Sequence, residues 1–257
     1  MMKFFSKNGE DYLLWTFFNR KKSGFFIDIG AFDGRYMSNT YVFERSGWQG
    51  ICIEPHPDVF PLCVKNRPGS RCIKAACTHS SSNRTIRFFA EKTGLLSTTV
   101  NSADIHHDIR RRYERKNLPF SGFKITQVPA FTVSHIMQAY APGISRIDFI
   151  SIDTEGNEEQ VVEGIDFSDI SARIIVVEAN NRIAEKKLKI LLAKAGGFIP
   201  ARKLGVNLFF AETKEDAAAL ASIPIQCRIS KQIHPTVPSF TPKKRRQDQI
   251  LKDSHAL

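Results

Sequence analysis

Residues 26–34 read Phe-Ile-Asp-Ile-Gly-Ala-Phe-Asp-Gly. A short apolar run that closes on an acid and passes at once into a glycine turn is the pattern of a buried strand feeding a helix. Such a strand is apolar at consecutive positions, so both of its faces need cover. The rest of the chain supplies that cover in a regular rhythm. After the run at 24–29 the spacing predicts a helix through Tyr41, Phe43 and Trp48, then a second strand at 50–53. Pro57 suits a helix start, and Asn66-Arg67-Pro68-Gly69 is a clear stop before a third strand at 71–76. Further on, a helix at 133–140, a strand at 147–152, a helix at 158–163 and a strand at 172–178 repeat the alternation. A last helix places Ile183, Leu188, Leu191 and Leu192 on one face and stops at Gly196-Gly197. Strands alternating with crossover helices predict an α/β fold, a doubly wound domain with a mostly parallel sheet. Runs at 198–202 and 206–211 flank a short turn containing Gly205, which predicts an antiparallel hairpin at the sheet edge.

Two stretches break the rhythm. Residues 85–130 hold a β-like run, a polar basic segment and a second β-like run near 124–128, and read as an insertion over one edge of the sheet that covers the substrate. The domain is expected to span 1–212, and 213–257 to form a basic C-terminal extension with a short helix-like patch at 215–221. With 42% hydrophobic and 25% charged residues the chain has the composition of a folded globular protein. Its net charge of +11 favours acidic partners and says nothing of fold. Part of that charge sits at Arg110, Arg111, Arg112, Arg115 and Lys116, and part in a tail at 241–257 with Lys243, Lys244, Arg245, Arg246 and Lys252. Either cluster reads equally as a solvated surface. The five cysteines, at 52, 63, 72, 77 and 227, show no Cys-x-x-Cys spacing and read as reduced thiols. No apolar run is long enough to span a bilayer and no signal peptide is visible, so a cytoplasmic location is expected. Asn83-Arg84-Thr85 matches a glycosylation acceptor, which carries no weight without export.

The chemistry concentrates around the first strand. In a doubly wound sheet its loop borders the crevice where nucleotide-like ligands lie. Gly30 lets the backbone approach such a ligand, Asp28 can accept a hydrogen bond from a cationic group, and Glu54 ends the second strand where an acid grips ribose hydroxyls. A nicotinamide site would want Gly-x-Gly-x-x-Gly to seat a diphosphate on a helix N-terminus. Here only Gly30 and Gly34 are present, and the acids Asp28 and Asp33 would repel phosphate. A ligand with a ribose and a positive charge but no phosphate, such as S-adenosylmethionine, fits better; a purely structural turn is the remaining reading.

Several further motifs stand in order along the chain. They are Gly9-Glu10-Asp11, Asp28-Ile29-Gly30-Ala31 with Asp33-Gly34, Ser38-Asn39-Thr40, Gly47-Trp48-x-Gly50, Ile53-Glu54-Pro55 and Asp153-Thr154-Glu155-Gly156-Asn157-Glu158. With these the chain resembles the FkbM family of methyltransferases from about Ser6 to Ala211. The resemblance implies a class I methyltransferase (Rossmann-like) fold, a seven-stranded sheet with one antiparallel strand, and S-adenosylmethionine as methyl donor. It implies that Asp28, Gly30 and Asp33 line the methionine side, that Glu54 holds the ribose and that Ala75 and Ala76 lie near the adenine, with Ala31 and Pro55 also among the cofactor-binding residues.

Asp153 and Glu155 fall just beyond the fourth strand, on the rim of the same crevice. Methyl transfer from a sulfonium is a displacement helped by alignment of donor and acceptor and by a base near an attacking hydroxyl. Asp153 is the candidate base, with Glu155 orienting it or the substrate, unless Glu155 only caps the following helix. Glu178, Asn180 and Asn181 follow the fifth strand and, with Asp153, offer hard oxygen ligands for a divalent metal such as magnesium. His56, His79, His106 and His107 fall in expected loops and are further candidate bases. The expected acceptor is a hydroxylated small molecule or saccharide. Nucleic acid, bound through the basic clusters with steep salt dependence, is a second candidate acceptor. A non-catalytic binding module on the same fold is the third reading.

Overall fold

The computed structural model describes residues 2–80, 85–115 and 120–236. The basic tail read at 241–257, together with Lys116, Asn83 and Arg84, lies outside the described residues. Ten strands run in chain order: β1 (Phe25–Ile29), β2 (Gln49–Ile53), β3 (Arg71–Ile73), β4 (Ala76–Cys77), β5 (Thr85–Glu91), β6 (Phe123–Phe131), β7 (Arg146–Ile152), β8 (Ser171–Glu178), β9 (Ile199–Leu204) and β10 (Asn207–Ala211). Seven of them form one sheet in the order β3-β2-β1-β7-β8-β10-β9. The first five are parallel, and β10 runs antiparallel to both β8 and β9. This is the doubly wound α/β arrangement expected, with the edge hairpin in place.

The sheet is buried on both faces because alternate residues of each strand serve different layers. Ile27, Ile29, Ile51, Ile53, Ile150 and Ile152 face one layer, covered by α5 (Val133–Tyr140), α6 (Glu158–Glu163) and α7 (Arg182–Gly196). Phe26, Cys52, Phe149 and Phe209 face the other, where Leu13, Leu14 and Trp15 of α1 (Glu10–Phe17) pack beside Phe43 and Trp48. Asp28 shares the second face with Phe26, so its carboxylate enters an otherwise apolar layer and requires a partner there.

Several elements differ from the sequence expectation for physical reasons. The helix expected through Trp48 reduces to α2 (Tyr41–Glu44). Phe32, Gly34 and Met37 all have positive φ, which no right-handed helix can carry. The next helix, α3 (Phe60–Asn66), starts at Pro61 in its first turn and not at Pro57. The strand expected at 71–76 breaks after Ile73, and Ala76–Cys77 turns away to pair with β6 in a second sheet of order β4-β6-β5. Within the insertion, the polar basic segment is a helix, α4 (Ala103–Glu114), with Ile109 and Tyr113 buried beneath it. Ile183 is 71% exposed while Leu188 and Leu192 are fully buried. Five residues at 3.6 per turn put Ile183 about 140° from Leu188, off the packed face.

After β10, α8 (Lys214–Ser222) buries Ala217 and Leu220 against the second layer, and Arg202 donates to the carbonyls of Leu220 and Ile223 at its end. The chain then runs back across the N-terminal segment. Ser230 N–H donates to the Phe4 carbonyl at 2.7 Å, Gln232 accepts from Met37 N–H at 2.9 Å, and the Thr236 hydroxyl donates to the Thr93 carbonyl at 2.7 Å. Residues 223–236 thus form a strap over the loop after β1 and the inserted segment. Among the described residues, no helix is long and apolar enough to cross a membrane.

Asn181 caps α7, its side-chain oxygen accepting from the N–H groups of Ile183 and Ala184 at 2.9 Å each. Asn181→Ala is expected to lower stability by about 1 kcal/mol, the usual worth of an N-cap. A chemical denaturation midpoint that does not move would contradict this assignment.

Candidate active site

Strand order reverses between β1 and β7, and an open α/β sheet leaves a crevice beyond the strand ends at such a point. The two ends touch here. Gly30 has φ +82°, and a methyl group on its Cα would lie 1.7 Å from the carbonyl oxygen of Asp153. Asp153 N–H in turn donates to the Ile29 carbonyl at 2.9 Å. Glycine at position 30 is therefore required first by the protein's own backbone.

The loop that follows spends its amides internally. Gly30 and Ala31 donate to the Ile53 carbonyl, Phe32 to Glu54, Gly34 to the Ala31 carbonyl, and Arg35 and Tyr36 to Asp33. A diphosphate would find those six N–H groups already bonded, which agrees with a ligand lacking phosphate.

Beyond the loop opens a cleft of about 970 Å³, measured out to bulk solvent. Asp28, Gly30, Ala31, Glu54, Pro55, Ala75 and Ala76, the residues expected around the donor, all line it. Asp33 does not. Its carboxylate accepts from Arg35 N–H at 2.9 Å and Tyr36 N–H at 2.6 Å, so it holds the loop's shape rather than facing the ligand. Leu95, Ser97 and Thr99 of the insertion close one side of the cleft.

The acids of the floor each have protein partners. Asp28 Oδ2 accepts from the Thr40 hydroxyl and lies 3.2 Å from Arg67 Nη2. Arg67 is fully buried, and it also donates to Ser38 Oγ at 2.8 Å, to Thr40 Oγ1 and to the Gly34 carbonyl. Burial raises the Asp28 carboxyl to about 6 against the pull of that guanidinium. Glu54 accepts from Phe32 N–H and His56 N–H at 2.8 Å each, and burial raises it to about 7.

The turn after β7 carries Asp153, Thr154 and Glu155. Glu155 and Gly156 both have positive φ, 54° and 111°. Glu158 holds this turn: its Oε1 accepts from Thr154 N–H at 2.9 Å, Thr154 Oγ1 at 3.1 Å and Gly156 N–H at 3.0 Å. Asn157 ties it to β4 through the Cys77 carbonyl at 2.9 Å. Glu158, rather than Glu155, thus serves the start of α6. Glu155 instead meets Arg112 of α4 in a two-pronged pair, at 2.5 and 3.2 Å. Such forked pairing fixes the plane of both groups. Burial and the charge of Glu178 raise the Glu155 carboxyl to about 7, while Arg112 opposes the rise.

Asp153 faces the open cleft, where carboxylate oxygens of Asp153, Glu155 and Glu178 lie within 4.8 Å of one another. Desolvation by the surrounding protein, then repulsion from Glu178 and Glu155, hold its carboxyl well above the usual range. This trio has the donor chemistry for a hard divalent cation. Of the other expected ligands, Asn180 donates to Glu178 at 2.7 Å and the Asn181 oxygen is used by α7.

None of the four histidines lines the cleft. His56 is buried between Asp58 N–H and the Glu91 carbonyl, and His106 bonds the Val100 carbonyl between Phe89 and Phe123. His79 and His107 are exposed. Two residues that sequence reasoning missed are the cations paired with the acids of the site, Arg67, fully buried, and Arg112, partly exposed. Arg67 stood in an apparent loop stop. Arg112 stood in a basic cluster with no motif; helical spacing from the buried Ile109 (i+3) was the one available signal. The exposed members of that cluster behave differently: Arg110 pairs with Glu114 at 3.1 Å on the surface.

A family model described as Methyltransferase FkbM domain matches residues 28–202, more than half of the 257-residue chain. The chain belongs to that family. As an FkbM methyltransferase it uses S-adenosylmethionine as its methyl donor, and the acid-lined, amide-poor crevice has the chemistry that donor needs. Among solved structures, it is similar to precorrin-6y C5,15-methyltransferase from Geobacter metallireducens GS-15, with TM-score 0.40 and 11% identity over 78% of this chain and 84% of that one. It is similar also to a TehB-like SAM-dependent methyltransferase from Corynebacterium glutamicum, with TM-score 0.39 and 11% identity over 80% and 88%. A ribosomal protein L11 methylase from Lactobacillus delbrueckii subsp. bulgaricus gives TM-score 0.42 and 9% identity over 81% and 80%. No curated protein matches the chain.

Gly30→Ala combines a left-handed backbone with a clash against Asp153, and is expected to cost at least about 2 kcal/mol of stability. A denaturation midpoint equal to that of the unsubstituted protein would show that the contact of β1 and β7 is not needed.

Proposed function

We propose that this FkbM methyltransferase methylates a hydroxyl oxygen of a small, sugar-like acceptor, with Asp153 as the base. The observation that carries this reading is the Asp153 carboxyl, open to the cleft and held well above the ordinary carboxylate range by its surroundings and by Glu178 and Glu155. A carboxylate with raised proton affinity is better matched to taking a proton from a hydroxyl.

The donor is assigned to Asp28, Gly30 and Ala31 on its methionine side, Glu54 and Pro55 at the ribose, and Ala75 and Ala76 beside the adenine. Bound there, S-adenosylmethionine supplies a methyl carbon on a sulfonium, open to displacement by an oxygen lone pair. Asp153 would receive the hydroxyl proton as the acceptor oxygen bonds to the methyl carbon and the carbon–sulfur bond breaks, the donor leaving as a neutral thioether. Glu155, fixed in plane by Arg112, orients the acceptor by accepting from a neighbouring hydroxyl. The inserted segment, through Leu95, Ser97 and Thr99, excludes water from one side and sets the space left for the acceptor. A nucleic-acid acceptor draws less support, because Arg112 turns inward to Glu155 instead of outward toward a phosphate backbone.

Screening hydroxylated metabolites and oligosaccharides with labelled donor should reveal methyl transfer to oxygen. With a responding acceptor, Asp153→Asn is expected to lower kcat by about 10²–10⁴, the usual worth of a general base. Donor affinity should stay unchanged in that variant; an unaltered kcat removes Asp153 from the base role.

Glu54 gives a second expectation. Its ionised form accepts from ribose hydroxyls, and its carboxyl is raised to about 7. Donor affinity is therefore complete above that pH and weakens as the pH falls through it. Calorimetry across pH 5.5–8.5 should show this slope in the unsubstituted protein and not in Glu54→Gln, allowing about one unit either side of the titration. A flat profile in both would separate Glu54 from the ribose.

A further inference from the structure

Cys52, Cys63 and Cys72 are scattered over twenty residues with no metal-binding spacing, yet the fold brings them to one point. Cys52 lies on β2, directly opposite Cys72 of β3 in the parallel register, and Cys63 projects from α3 above both strands. Their three sulfur atoms lie within 4.8 Å of one another, with Cys63 Sγ and Cys72 Sγ 3.9 Å apart. Cys52 and Cys63 are buried, whereas Cys72 is only half-buried and gives the group an approach from solvent. All three are free thiols.

A second, independent observation points into the same place. Arg67 is fully buried, and its Nη1 has no hydrogen-bond acceptor, the nearest charge being Glu44 at 3.6 Å. A buried guanidinium N–H without an acceptor is costly. Arg67 caps α3 one turn after Cys63, its backbone N–H donating to the Cys63 carbonyl at 2.9 Å, and its side chain and Cys63 Sγ both lie against Gly34. Negative charge gathered on the three sulfurs would lie beside this buried cation.

We propose that Cys52, Cys63 and Cys72 form a site for a thiophilic divalent metal ion of the zinc class, with Arg67 as the cation that offsets the thiolates. Zinc–sulfur bonds of about 2.3 Å in a tetrahedral shell separate the sulfurs by roughly 3.8 Å, close to the spacing found here. Binding releases three thiol protons, so a divalent ion with three thiolates carries one net negative charge, beside an Arg67 cation that is shared with Asp28 and Glu44. The half-exposed Cys72 leaves the fourth position to water. The site lies behind the loop at 30–34, is linked to the acids of the cleft through the Arg67–Asp28 pair at 3.2 Å, and does not depend on the identity of the methyl acceptor.

The full chain, reduced and stripped with a chelator, is titrated with Zn²⁺ against a chromophoric competitor and with Cd²⁺ while the sulfur-to-metal charge-transfer absorption is followed. One equivalent of each metal is expected to bind, with the absorption band appearing in step. Cys72→Ser, at the half-buried position, should lose both the band and the competition, and Cys227→Ser should keep both. Donor binding by Cys72→Ser verifies that the variant is folded. Cys52→Ser should lose both signals too; should that buried variant not fold, Cys72→Ser decides. Absence of binding in the reduced unsubstituted chain, or binding that survives Cys72→Ser, overturns the proposal. A Cys63–Cys72 disulfide mapped in protein never exposed to reductant, with no zinc bound after reduction, overturns it in favour of a redox pair.

Discussion

The active-site architecture rests on one contact, the approach of the Asp153 carbonyl to Gly30. Two parallel strands end side by side, and the loops leaving them must diverge to open a crevice. They can diverge from so close a start only if one carries no side chain. That contact brings the turn of Asp153 to Gly156 against the loop of Gly30 to Gly34, so both loops line one cleft. The shape of each loop is then secured by a carboxylate that accepts from the loop's own amides, Asp33 in one and Glu158 in the other.

Electrostatically the site is a set of closely placed acids, buried at Asp28 and Glu54 and open to the cleft at Asp153, moderated by two cations, Arg67 and Arg112. Desolvation raises Asp28, Glu54, Asp153 and Glu155, in each case as the largest influence. Arg67 and Arg112 oppose that trend at Asp28 and Glu155, and neither cation is free to wander, since each is held by several bonds or by a forked pair. Removing one partner of such a pair leaves a stranded charge, which costs more than the pair itself contributes. The basic character of the chain as a whole therefore coexists with a cleft whose floor is acidic.

Much of this was legible in the sequence, because it depends on local rules. Strand runs, the Gly197 stop of α7 and the edge hairpin follow from apolar periodicity and turn chemistry, and residues 28, 30, 54, 75, 76 and 153 all reach the cleft. What stayed hidden depends on long-range partners. Asp33 carries the same side chain as Asp28 and stands in the same motif, yet backbone φ values at Phe32 and Gly34 turn it inward. Arg112 looks like its neighbours Arg110 and Arg111, and only the docking of α4 gives it Glu155. The strand at 71–76 breaks at Lys74 because a second sheet, built from the insertion, competes for Ala76 and Cys77. The three cysteines meet because β2 and β3 pair in one register and α3 packs above them, a relation no spacing rule encodes.

The strap at 223–236 has a consequence for the timing of assembly. Gln232 bonds to Phe5 across 227 positions and to Met37 across 195. Closing so long a loop carries the largest entropic penalty of any contact in the molecule, although the penalty grows only with the logarithm of length. In chain order the strap comes after every strand of the sheet and after α8. The loop after β1 is consequently braced at Met37 by a segment made after the sheet it lies against.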